Sequence, residues 1–184
     1  MGAPSKRELV ITVAGLHGSG RSSQAQRLAE SLGLRYISSG MIFRERAKEK
    51  GMSLEKLNLL AGTDPEFDNY LDTRTKEESR RGGVVIDANL SAWMAVEPDI
   101  RIYLTAPFEV RVKRIADREK RPLEEVERET RVREELERER YRRYYGVDVA
   151  DLSAYDVVLN TALFDLKATA NILKKIVDEY SSGR

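Results

Sequence analysis

The segment Gly15-Leu16-His17-Gly18-Ser19-Gly20-Arg21-Ser22-Ser23 carries the most explicit chemistry in this chain. Three glycines within six residues let successive backbone N–H groups turn toward one point, and such a concavity binds an anion. A cation follows at Arg21, and hydroxyls follow at Ser22 and Ser23. Together these are the parts of a phosphate-binding loop. Backbone N–H groups take the phosphate oxygens, a side-chain cation offsets their charge, and the Ser22 hydroxyl stands where a Mg²⁺ ligand is needed. The pattern ordinarily has Lys where this chain has Arg21. Arg brings a wider, planar fork than the compact ammonium of lysine. Nucleotide binding therefore follows from this segment; competence to follow a γ-phosphoryl group through transfer does not follow from it alone. His17 is read as a turn position that needs no catalytic side chain, with a phosphate contact as the other reading.

Such a loop works between a buried strand and a helix N-terminus. The flanks supply both. Residues 9–14 form a short apolar run rich in β-branched side chains, as a buried parallel strand should. Over 22–32, Ala25, Leu28, Ala29 and Leu32 share one helix face, and Gly33 suits the C-cap. The alternation continues. Strands are expected over 34–38, 83–87, 100–105 and 156–160. Helices are expected over 41–50, 53–60 (capped by Ser53), 65–81 (closed by Gly82-Gly83), 107–118 (opened by Pro107), 122–145 and 166–180. Strands alternating with helices mean an α/β fold, a mostly parallel sheet wrapped on both faces, and the short connections argue for one domain.

Composition bounds the function. With 184 residues, 41% hydrophobic and 34% charged, the chain has room for one domain with a real core. Lys+Arg is 32 against 31 Asp+Glu. That balance excludes general nucleic-acid or membrane-surface binding, which needs a net basic field. Arg supplies 22 of the basic residues, a bias toward planar grip on carboxylate or phosphate. Without cysteine there is no disulfide, thiol catalysis or Cys-ligated metal, and one histidine excludes a multi-His metal site. No apolar run approaches the ~20 residues of a membrane span. The start of the sequence lacks the apolar stretch of a secretion signal, so a cytoplasmic protein is expected.

Four further segments sharpen the picture: Ser38-Ser39-Gly40-Met41-Ile42-Phe43-Arg44, Asp87-Ala88-Asn89-Leu90-Ser91-Ala92-Trp93-Met94, the triplet Arg133, Glu137 and Arg140, and Tyr144-Tyr145-Gly146-Val147-Asp148. They are similar, in order, to Ser-Gly-x-Ile-(Tyr/Phe)-Arg, to an acid followed by Gly-Arg and Leu-x-Gly-Trp-Met, to Arg-x-x-x-acid-x-x-Arg, and to Tyr-Gly-Ile-Asp. From Leu9 to Tyr180 the chain thus resembles the nucleoside monophosphate kinases, and among them the short archaeal cytidylate kinase type. The resemblance implies a three-layer P-loop NTPase fold with a five-stranded parallel sheet. Its core would cover about 8–38, 83–118 and 150–180, a helical monophosphate-binding region about 39–82, and a lid with a long helix about 119–149.

The resemblance also implies roles. ATP as donor lies on Gly15, Leu16, His17, Gly18, Ser19, Gly20, Arg21, Ser22 and Ser23. Mg²⁺ takes Ser22 directly and Asp87 through water. CMP or dCMP as acceptor meets Ser39, Arg44, Asn89, Arg133, Glu137 and Arg140. Arg21, Asp87, Arg114, Arg118, Arg133 and Arg140 form the catalytic set. Arg111 stands with Arg114 and Arg118 before a loop at 119–122, expected to close over the triphosphate, and Asn160-Thr161 would pass near the adenine. A monomer with small-molecule partners only is implied.

The chain departs from that pattern at three places: Arg21 for Lys, Ala88-Asn89 for Gly-Arg, and Thr75 where Gln is usual. They leave open another acceptor, nucleoside monophosphate or small alcohol, and a nucleotide-binding protein of weak catalysis. Between Arg101 and Tyr145 stand fourteen basic and eleven acidic residues. Most are expected to be solvated i,i+4 pairs such as Glu124–Arg128 and Glu134–Arg138. Phosphoryl transfer asks the protein for alignment and charge neutralisation and needs no nucleophilic side chain.

Overall fold

The computed structural model describes residues 8–53, 56–57 and 65–183. In chain order it runs β1 (Val10–Ala14), α1 (Arg21–Leu32), β2 (Arg35–Ser38), α2 (Ser39–Glu49), α3 (Pro65–Arg81), β3 (Val84–Asp87), α4 (Ser91–Met94), β4 (Ile100–Thr105), α5 (Phe108–Glu119), α6 (Leu123–Tyr145), a 3₁₀ turn (Leu152–Ala154), β5 (Val157–Asn160) and α7 (Leu166–Ser182). The expected helix over 53–60 lies largely outside the described residues. Its expected cap is present: the Ser53 hydroxyl accepts the Lys56 N–H at 3.2 Å.

All five strands are parallel, in the order β2-β3-β1-β4-β5. β1 is central because every residue in it is buried, so both of its faces must be covered. Alternation along the strand does this. Ile11 and Val13 join Leu28, Ile102, Leu104, Leu173 and Val177 on the side of α1 and α7. Val10 joins Val84, Ile86 and Ala95 on the other. The Gln24 amide spans α1 and α7 by donating to the Leu166 carbonyl at 3.0 Å. The central order places the carboxyl ends of β1 and β3 side by side, with Val13 opposite Asp87. A ligand held at the end of a parallel sheet lies at that edge.

Two details differ from expectation. α2 begins at Ser39, earlier than position 41, because the Ser38 hydroxyl caps it by accepting the Met41 N–H at 3.2 Å. The four-residue α4 and the 3₁₀ turn are too short to leave a periodic pattern in sequence. Among the described residues no helix is long and apolar enough to cross a membrane.

α3 is anchored by charge as well as by apolar packing. Glu78 is 2% exposed. It pairs with Arg35 from β2, with Arg81 at 3.2 Å and with Arg74 at 3.4 Å. Ser79 beside it accepts the Val96 N–H at 2.9 Å. Burial pushes the Glu78 carboxyl up, but the three guanidinium groups outweigh burial and hold it below the usual carboxylate range. A lowered folded value means that its contribution is present above the unfolded value, about 4.3, and drains away as pH falls through the folded one. Glu78→Gln should therefore lower the urea midpoint at neutral pH. It should also flatten the loss of stability below about pH 4.3, the unfolded glutamate value. Equal acid limbs for the variant and the parent protein would refute this.

Candidate active site

The phosphate loop leaves β1 at Gly15 and enters α1 at Arg21. Its geometry is imposed from below. Gly18 has φ +78°, and a Cβ there would overlap the Arg111 carbonyl oxygen, so only glycine lets the loop lie this close to α5. The Arg111 side chain is buried at 4% exposure. It donates to the His17 carbonyl at 2.9 Å, to the Ala106 carbonyl at 3.2 Å and to both oxygens of Glu134. Arg114 adds a second brace. It donates to the Thr161 hydroxyl and carbonyl, both at 2.9 Å, while the Thr161 hydroxyl donates to Ser19 O at 2.8 Å. Strand β5 and helix α5 thus lock the loop through its carbonyls.

On the open side of the loop the side chains form one continuous polar network. Arg21 Nη1 donates to Gly15 O at 2.9 Å and to the Asn89 side-chain oxygen, and its Nε lies 2.5 Å from Asp87 Oδ1. Asp87 is 1% exposed, and its Oδ2 accepts the Tyr36 hydroxyl at 2.8 Å. Burial, and then the Asp87 charge, push the Tyr36 phenol up to about 12, so it is a donor throughout the physiological range. Asn89 Nδ2 donates onward to Glu137 Oε2 at 3.3 Å. Glu137 also meets His17 Nε2 at 3.0 and 3.1 Å and Arg133 Nε at 3.2 Å. Burial raises the Glu137 carboxyl, but His17 and Arg133 outweigh it and keep it below its usual range. An ionised carboxylate only accepts, so His17 Nε2 carries the proton in this contact.

A cavity of about 160 Å³ opens over the loop, with Gly20, Arg21 and Ser22 on its floor and Arg118, Arg121 and Arg133 on its walls. Each wall arginine is engaged by acid. Arg118 meets Glu119 at 2.7 Å, Arg121 meets Glu119, Glu125 and Glu129, and Arg133 meets Glu137. Beyond it, Arg140 stands 3.9 Å from Asp68 of α3, and the Tyr145 hydroxyl bonds Asp72. Burial pushes both aspartates above the usual carboxylate range. The seam between α3 and α6 therefore carries carboxyls, a guanidinium and phenols.

Of the expected site residues, the structure brings together Gly15 to Ser23, Asp87, Asn89, Arg133 and Glu137. Ser22 and Ser23 are exposed on the first turn of α1. Arg118 stands at the rim. Ser39 and Arg44 stand apart on α2, where the exposed Arg44 guanidinium folds back over Gly40. Thr75 is buried.

Two expectations are corrected. Arg111 does not lie over the triphosphate position but beneath the loop, because it shares the buried face of α5 with Val112, Ile115 and Ala116. Glu134 does not pair along its helix with Arg138; the buried Arg111 claims it. The i,i+4 pairs that do form on this stretch include Arg121–Glu125, Glu127–Arg131 and Arg133–Glu137. Sequence reasoning missed Tyr36 altogether. No spacing rule links it to Asp87; they meet because β2 and β3 are register neighbours, with Ser38 opposite Asp87.

A family model described as the Cytidylate kinase-like family matches residues 10–163. A cytidylate kinase of Staphylothermus marinus is 43% identical over 173 residues, covering 94% of this chain and 98% of that protein. A cytidylate kinase of Ignicoccus hospitalis is 46% identical over 169 residues, covering 91% and 98%. Among solved structures, a shikimate kinase from Bacteroides thetaiotaomicron superposes with a TM-score of 0.62 at 13% identity, covering 92% of this chain and 98% of that one. At that identity the likeness concerns the fold alone.

The brace under the loop makes a direct prediction. Arg111→Met keeps the apolar stem of the side chain but strands Glu134 and the His17 carbonyl without their donor. It should cost about 3 kcal/mol, as removing one partner of a buried pair does. Urea denaturation measures this, and a midpoint equal to that of the parent protein would show that Arg111 is not the support.

Proposed function

The chain belongs to the cytidylate kinase-like family, and from that membership we propose that it transfers the γ-phosphoryl group of ATP to CMP or dCMP, giving ADP and (d)CDP. The observation that carries this reading is the single network that runs from the phosphate loop through Arg21, Asp87 and Asn89 to Glu137 and Arg133. It sets donor-type and acceptor-type groups within one another's reach. The loop Gly15 to Ser23 receives the triphosphate, and Arg21 offsets its charge. Ser39, Arg44, Asn89, Arg133, Glu137 and Arg140 serve the acceptor, with the region about 39–82 as its cradle and about 119–149 as the lid. The cytoplasm, where both nucleotides are made and used, is the working compartment, and the protein acts as a monomer.

Mg²⁺ fits the oxygen groups present. The Ser22 hydroxyl is exposed at the loop, and Asp87 Oδ1 is buried in ion-pair contact with Arg21 Nε but without an aligned hydrogen bond. A hydroxyl and one carboxylate, completed by phosphate and water, is the donor set this ion favours. Bound with ATP it would neutralise charge on the β- and γ-phosphates.

The chemistry asks little of side-chain protons. A phosphate oxygen of the acceptor forms the new bond to the γ-phosphorus as the bond to the β–γ bridging oxygen breaks, and ADP departs with that electron pair. The protein aligns the two substrates and offsets charge on the moving group. Arg114 acts from its fixed place against Thr161. Arg118 and Arg133 exchange Glu119 and Glu137 for phosphate oxygens, and Arg140 does the same with Asp68. Closure of the lid over both substrates excludes water and suppresses idle hydrolysis.

ADP formation measured against CMP, dCMP, AMP, UMP and shikimate tests the reading. The highest kcat/KM should fall to CMP or dCMP, and no turnover with either above the no-acceptor background would reject it. Arg21→Ala should lower kcat by about 10²-fold, the scale of losing one preorganised charge contact in the transition state. Arg21→Lys should lower it about tenfold, because an ammonium cannot span Gly15, Asp87 and Asn89 together. A fully active lysine variant would show that the fork is dispensable.

A further inference from the structure

His17 and Glu137 are 120 positions apart, yet one imidazole nitrogen faces both oxygens of that carboxylate. The main chain of His17 is fixed at the same time, since its carbonyl accepts Arg111. The imidazole is therefore a stiff arm that starts on the donor loop and ends on helix α6. Glu137 takes one shared hydrogen bond from His17 Nε2–H, one from Asn89 and one from Arg133, so both of its oxygens are engaged. These donors are not equivalent. Arg133 is 58% exposed and stands on the wall of the loop cavity, whereas His17 and Glu137 are each 20% exposed. A phosphate in the cavity can draw Arg133 away without moving His17. That leaves one oxygen of Glu137 ready to accept from an incoming hydroxyl or amine.

We infer that His17 is a positioning residue for the acceptor. Its Nε2–H holds Glu137 in place while Arg133 turns to phosphate, and so ties acceptor affinity to the donor loop. This rests on the reaction assigned above. It gives His17 a task in the acceptor subsite, whereas its position in the loop suggested only a turn or a phosphate contact.

The test is a split of steady-state constants in five proteins: wild type, His17→Ala, His17→Gln, Glu137→Ala and the double variant His17→Ala with Glu137→Ala, the last compared with Glu137→Ala alone. His17→Ala should raise KM for CMP about tenfold, the scale of one charge-assisted hydrogen bond, and should move kcat and KM for ATP by less than about threefold. His17→Gln places an amide N–H near the lost Nε2 and should restore most of the affinity. In the Glu137→Ala background His17→Ala should add nothing to KM for CMP. The protein has a single histidine, so in untagged protein the imidazole NMR spectrum reports this residue alone, and CMP added without ATP should shift it.

An increase in KM for ATP with KM for CMP unchanged would overturn the inference and make His17 a phosphate contact. So would failure of glutamine to rescue, or additivity with Glu137→Ala, or an imidazole signal that responds to ATP and not to CMP. Wild-type inactivity toward CMP and dCMP would sink the assigned reaction and this inference with it. Wild-type turnover with an unaffected His17→Ala variant sinks this inference alone.

Discussion

Guanidinium groups gathered at one loop repel one another, and that repulsion shapes the molecule. Arginines around the phosphate loop are matched to oxygen partners: Arg21 to Asp87, Arg111 to Glu134, Arg118 to Glu119, Arg133 to Glu137 and Arg140 to Asp68. The near-equal totals of 32 basic and 31 acidic residues are the global trace of this local matching. The partners fall into two kinds. Buried ones such as Glu134 hold their arginine as part of the frame, because an uncompensated charge there is expensive. Exposed ones such as Glu119 hold theirs weakly, since a solvated pair is worth roughly 0–1 kcal/mol. A phosphate, offering bidentate and charge-assisted bonds, can displace an exposed partner such as Glu119 or a loosely held one such as Asp68 at 3.9 Å, and not Glu134. The same residue type thus builds the floor of the site and its movable walls.

The floor is held through carbonyls. Arg111 grips the His17 carbonyl, Arg114 grips Thr161, and Thr161 grips the Ser19 carbonyl. The His17 and Ser19 carbonyls are turned toward α5 and the residue after β5, while the Gly15 carbonyl faces Arg21, so the shape of the loop is set largely from beneath. Helix α5 therefore acts on phosphate binding without touching phosphate, and the glycine at position 18 is what lets it come close enough.

The walls meet at Glu137, which links the loop, strand β3 and helix α6 through His17, Asn89 and Arg133. A further seam joins α3 and α6 through Arg140–Asp68 and Tyr145–Asp72. Helix α6, the turn after β3 and the phosphate loop are therefore joined by polar contacts, while the sheet beneath is packed with apolar side chains.

Much of this was legible in the residues. The loop could be read because phosphate binding demands glycines, a cation and a hydroxyl at fixed short spacing, between a β-branched run and an amphipathic helix. The alternation of elements, and with it the parallel sheet, follows from local periodicity over β1, α1, β3, β4 and α7. What spacing could not supply is which distant side chains meet. Arg111, Arg114 and Arg118 look alike in sequence, at intervals of three and four, yet one is a buried prop, one a brace and one a rim cation. The rotation of α5 against the loop decides this. Glu134 looked like an ordinary i,i+4 partner until the fold brought Arg111 beneath it. Tyr36 joined the site through the register of β2 on β3, and His17 reached Glu137 across 120 residues through the crossing of α6 over the loop. Local sequence determines secondary structure and short motifs because those interactions span only a few residues. Charge pairing is set by distance in space, and distance in space exists only once the sheet has chosen its strand order.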